Sequence, residues 1–128
     1  MNQNQHLQGN NTQSLEETFK TFIGEIDSRQ VESLENRFHD QFLDHVSVSG
    51  IAEMIVSNKE KYIQSLREGK IGGIPRNIQI KSLDIIENFG IVTANLESNL
   101  MQFQTQYSFL WTDGRWKVIH ALVAAKKN

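Results

Sequence analysis

The chain has 128 residues, no cysteine and a formal net charge of −2, which allows one compact domain and excludes disulfides, thiolate chemistry and cysteine-bound zinc or iron–sulfur centres. Its 13 basic and 15 acidic residues are scattered, so no clustered basic face is available for phosphates and no nucleic-acid partner is expected. No run reaches the roughly 20 apolar residues of a membrane span and no secretory signal opens the chain, so no membrane partner is expected and a cytoplasmic location is.

Eight of the first thirteen residues are Asn or Gln, too polar to offset the entropy of ordering, and residues 1–13 are expected to form a flexible polar tail. A single domain is expected over 14–128. Ser14 and Glu17 stand in capping-box spacing, and Leu15, Phe19, Phe22, Ile23 and Ile26 recur at helical intervals, which predicts a first helix over 15–26. Asp27 or Ser28 is positioned to cap a short second helix carrying Val31, Leu34 and Phe38. From His39 to Ser49 the period becomes two, with Phe42, Asp44, Val46 and Val48 on one face. Residues 51–56 suggest a short strand. Ser57 and Glu60 repeat the capping box before a third helix bearing Tyr62, Ile63 and Leu66, which ends near Gly69, and 69–75 is a loop.

The remainder reads as strands. Ile78 and Ile80 share one parity, Leu83 and Ile85 the other, so a bulge is expected near Lys81–Ser82. After a turn at 88–90, Val92, Ala94 and Leu96 define the next strand. Met101, Phe103, Tyr107, Phe109 and Trp111 then alternate with Gln102, Gln104, Gln106 and Ser108, a strand with one apolar face. Asp113–Gly114 predicts a tight turn into a last strand with Trp116, Val118, His120 and Leu122 on one parity. The expected class is α+β, with a curved, largely antiparallel or mixed sheet wrapped around three helices.

This order resembles the nuclear transport factor 2-like superfamily, a cone of curved sheet closed by helices. The resemblance rests on Asp27 with Val31–Leu34 before Phe38, the passage 50–59 leading into the third helix, the aromatic strand ending at Trp111, and the segment 113–120 from Asp113 through Trp116 to His120. The superfamily includes ketosteroid isomerase-like and SnoaL-like enzymes, the association domain of calmodulin-dependent kinase, and domains without assigned activity, so fold does not settle function. The ketosteroid isomerase-like base would fall where this chain has Ser47–Gly50. The acidic and aromatic positions of SnoaL-like cyclases fall on Val118–Ala121. The basic positions of the kinase domain that follow His120 fall on Leu122–Ala124. The resemblance also implies a homodimer paired through the sheet's outer face, here carrying Gln102, Gln104, Gln106 and Ser108.

Parity gives a second lead. Asp44, Tyr107 and His120 fall on faces expected to line the cone together with Phe42, Phe103, Phe109, Trp111 and Trp116. In that setting Asp44 is a candidate base, with Tyr107 or His120 donating to a developing oxyanion. The alternative places Asp44 in solvent and leaves Tyr107 and His120 as hydrogen-bonded packing residues. His39 and His45 stand about 20 Å apart along an extended strand, and no paired-histidine motif occurs, so neither metal nor cofactor is expected. Two functions remain open. One is a small-organic-molecule binder, with lyase or isomerase activity in an apolar pocket. The other is a non-enzymatic association module whose pocket is filled by Phe, Trp and Leu.

Overall fold

The computed structural model describes residues 9–128, so residues 1–8 of the expected tail lie outside the described residues. The elements are α1 (Thr12–Asp27), α2 (Val31–Glu35), β1 (Phe38–Val48), β2 (Ile55–Asn58), α3 (Lys59–Arg67), β3 (Asn77–Ile86), β4 (Phe89–Glu97), β5 (Met101–Thr112) and β6 (Arg115–Lys127).

Helix α1 begins ahead of Ser14. Asn11 caps it, with Oδ1 accepting from the Ser14 amide at 2.8 Å, while Ser14 Oγ accepts from the Asn11 amide at 3.3 Å. The capping box is therefore Asn11–Ser14 rather than Ser14–Glu17. Ser14 Oγ also accepts from the Trp116 indole at 3.0 Å, tying the helix start to β6. Leu15, Phe19, Phe22, Ile23 and Ile26 form the buried stripe. Neither Asp27 nor Ser28 caps α2; Gln30 precedes it without a side-chain bond. At α3 the cap is Asn58, whose Oδ1 accepts from Lys61 at 2.9 Å, one residue beyond the expected Ser57.

The six strands make one mixed sheet in the order β2-β1-β6-β5-β4-β3, in which only β1 and β6 run parallel. The β3–β6 meander brings the C-terminal strand back beside β1, as the curved-sheet reading requires. Asp113 and Gly114 both have positive φ, the two-residue turn whose twist matches a hairpin. Register slips between Ile80 and Ser82, where the change of parity in β3 places the bulge.

A second bulge was not anticipated. Phe109 pairs with Val118 and Ser108 with His120, so Ile119 is an extra residue in β6. Trp116 and Val118 are buried before it, and Ala121 and Ala125 after it. The expectation that His120 and Leu122 share the face of Trp116 and Val118 therefore fails, because one inserted residue reverses the alternation. The helices cover the face bearing Phe42, Val92, Tyr107, Phe109, Trp116 and Val118, and these residues belong to the core that they form with α1 and α3.

Candidate functional site

On the covered face one cross-strand row runs Asp44, Ala121, Tyr107, Val92. At the usual spacing of neighbouring strands, the Cα atoms of Asp44 and Tyr107 lie about 10 Å apart with a methyl group between them, which leaves room above Ala121. Asp44 is 6% exposed, and its carboxyl forms no hydrogen bond with any described residue. Burial alone pushes its carboxyl from 3.8 to about 7.

Tyr107 is wedged against Phe19 and Phe22, with ring centres 5.5 and 5.6 Å away. Burial holds its phenol well above the ordinary value, helped by the charge of Asp44 and opposed by Arg76. Tyr62, from α3, packs its ring on Phe38 and Phe42 at 5.2 and 5.8 Å. Burial raises its pKa too, and it lies within the fields of Tyr107, Asp44, Arg76 and Asp27. Both phenols thus remain protonated donors, and neither has a hydrogen-bond partner among the described residues. Among the described residues no sealed side-chain polar atom lacks a partner, so the bare atoms of Asp44 and Tyr107 keep contact with accessible space.

Toward the Phe103 end of the covered face, Val46, Val48, Ile78, Ile80, Phe103 and Val123 are only half-buried; this apolar patch, on the same sheet face as Asp44 and Tyr107, is called the cup below. At the rim, Arg76 donates to Asp27 from its backbone amide at 3.0 Å and from Nε at 2.8 Å, and Nη2 lies 2.8 Å from Asp27 Oδ1. The guanidinium stands 5.0 Å above the Phe103 ring. Burial raises the Asp27 carboxyl against the opposing pull of Arg76.

The expected pocket residues therefore separate. Asp44, Tyr107 and Phe103 share the covered face of the sheet. Phe42, Phe109 and Trp116, each no more than 2% exposed, are core and present no surface. Trp111 is half-buried at the opposite end of β5, 5.3 Å from Trp116. His120 lies across the sheet, where its Nε2 is 3.2 Å from His45 Nδ1; burial and His45 both lower its pKa. Sequence reading missed Tyr62, which looked like part of a helical stripe, and Arg76, whose partner Asp27 looked like a cap. Neither had a local signal, since each acts through residues distant in the chain.

On the uncovered face, a trough of about 470 Å3 is lined by His45, Met54, Asn95, Gln104, Gln106 and Leu122 among others. Gln102 is exposed on the same parity, and Ser108 is half-buried beside His120. Among the described residues, no group of three or more His, Asp or Glu side chains could share a metal ion. No described helix is long and apolar enough to cross a membrane.

A strongly curved mixed sheet, covered by helices on one face and cupped at one end, is the nuclear transport factor 2-like architecture. A nuclear transport factor 2-like protein of unknown function from Silicibacter pomeroyi matches with a TM-score of 0.74 and 13% identity, over 100% of both chains. A nuclear transport factor 2-like protein from Cytophaga hutchinsonii matches at 0.69 and 25% identity, over 98% of this chain and 99% of that one. A ketosteroid isomerase-like protein from Erwinia carotovora atroseptica matches at 0.68 and 11%, over 91% and 95%. Residues 10–122 match the family model described as "Putative lumazine-binding", and the chain belongs to that family. No curated protein matches it.

Proposed function

We propose that the protein binds a small, planar, largely apolar organic molecule in the cup, with Asp44, Tyr62 and Tyr107 meeting its polar edge. The observation that carries this reading is Asp44, a buried carboxyl with no protein partner, in register with a phenol across an alanine. Leaving such a group unbonded is costly, and perturbed acids in apolar clefts concentrate at functional sites. With a pKa of about 7, Asp44 can take or return a proton near neutrality, while the phenols donate to an oxygen that gains charge. This supports cofactor-independent lyase or isomerase chemistry. Lumazine, the compound in the family's description, is a flat bicycle with ring carbonyls and N–H groups, matched to an apolar wall with polar groups at one end.

The test is a titration of lumazine fluorescence with the protein. Saturable quenching is expected, weakened at least about tenfold by Tyr107→Phe and Asp44→Ala together. Absence of quenching by wild-type protein at about 100 μM would overturn the reading.

The uncovered face supports a second role. Leu43, Met54, Val56 and Leu122 are 40–56% exposed on one half of it, beside the amide rows of Gln104 and Gln106. Amides donate and accept, so the surface is complementary to itself under a two-fold axis. A second copy of the chain is the proposed occupant, giving a homodimer. Light scattering at about 50 μM should give twice the chain mass for wild type and a single mass for Leu122→Glu. A monomeric wild type would remove this role.

A further inference from the structure

Arg76 is over-equipped for the ion pair that holds it. A guanidinium has five N–H groups in a fixed fork, and the pair with Asp27 occupies Nε and one side of Nη2. No other described residue accepts from the side chain, so three N–H groups are left on a group that is only 12% exposed. Nη1, which has no partner, is not sealed, because no buried side-chain nitrogen without a partner exists among the described residues. It therefore keeps contact with accessible space beside Phe103, at the edge of the cup. The placement is rigid: the Phe103 ring lies beneath the guanidinium, and Asp27 sits at the end of α1 while Arg76 leads into β3. The charge of Arg76 reaches both phenols, lowering the pKa of each, so it shares their electrostatic compartment.

From this geometry we propose that Arg76 is the specificity residue of the cup, and that its free N–H groups require an uncharged ligand to present a carbonyl oxygen at the rim. The inference rests on the ligand-binding reading above and deepens it. A carbonyl fits better than a carboxylate. Asp27 already balances the guanidinium, and a further anion would add net negative charge to a cup that also holds Asp44. A ligand lacking the oxygen would leave three donors desolvated and unpaired, the situation in which hydrogen-bonding sites discriminate most strongly. Arg76 and Asp44 then address opposite ends of one molecule: the rim reads an acceptor and the inner end handles a proton.

The experiment compares lumazine with quinoxaline, a bicycle of similar shape without carbonyl groups, on wild type and on the paired variant Asp27→Leu/Arg76→Met. The paired variant removes both charges and keeps an apolar contact with Phe103, so it does not strand a buried ion. Wild type is expected to bind lumazine at least about tenfold more tightly than quinoxaline. The paired variant should keep quinoxaline binding and lose that preference. Equal binding of the two probes by wild type, or an undiminished preference in the variant, overturns the role of Arg76 while leaving the cup as a binding site. If wild type binds neither probe, the ligand-binding reading fails and this inference with it.

Discussion

Replacing Asp44 by Asn tests the central feature of the cup without reference to any ligand. Asparagine matches the protonated carboxyl in size and polarity but cannot ionise. The folded chain holds the Asp44 proton up to about pH 7, whereas the unfolded chain releases it near 3.8. Between those values the unfolded state binds fewer protons than the native state, so stability falls as pH rises and levels off above about 7. At 1.36 kcal/mol per pH unit, the raised pKa costs the fold about 4 kcal/mol at pH 8, where the buried carboxyl is ionised, and about 1–2 kcal/mol at pH 5, where the folded chain must take up a proton. Urea unfolding of wild type and Asp44→Asn at both pH values measures this directly. The variant should be more stable at both, with its advantage growing by about 3 kcal/mol from pH 5 to pH 8. A constant advantage, or none, would show that the carboxyl is solvated or paired and would remove the physical basis of the proposed site.

Arg76→Met alone strands the Asp27 carboxylate and should destabilise the protein by about 3–5 kcal/mol in urea titrations, whereas Asp27→Leu/Arg76→Met should recover most of that loss; equal losses in both would mean that the pair is not isolated from water. Gly90→Ala puts a methyl group 2.8 Å from both Leu15 Cδ atoms and 3.1 Å from Trp116 Cη2. This overpacking should cost about 1–3 kcal/mol, and an unchanged melting temperature would refute it. The depressed His120 pKa means that the folded ring resists a proton which the unfolded chain takes up below about 6.5, so stability should fall as pH drops through that value. Because this trend opposes that of Asp44 over the same range, His120→Gln should steepen the loss of stability, read as melting temperature, from pH 5 to pH 7, and an unaltered slope would count against the depression.

Much of the architecture was legible because it depends on local pattern. The five apolar residues of α1, the bulge forced by the change of parity in β3, the Asp113–Gly114 turn and the one-sided β5 are each written in a few consecutive side chains, and burial follows periodicity closely. Helix starts were less legible: Asn11 and Asn58 displaced the expected serines, because several nearby side chains can compete for the same amide and the path of the chain decides among them.

For the cup, the sequence by itself determined that Asp44 and Tyr107 share faces with apolar strand positions. It did not determine their company. His120 was separated from them by one extra residue, Ile119, which leaves no signature when both parities of a strand carry apolar side chains. Tyr62 and Arg76 entered only because α3 and the lead into β3 fold against the sheet, and Asp27 was drawn from an expected cap to an ion pair 49 residues away. Periodicity assigns a residue to a face. Only tertiary contacts between distant segments decide which faces meet, which polar groups lose water and which of them find a partner.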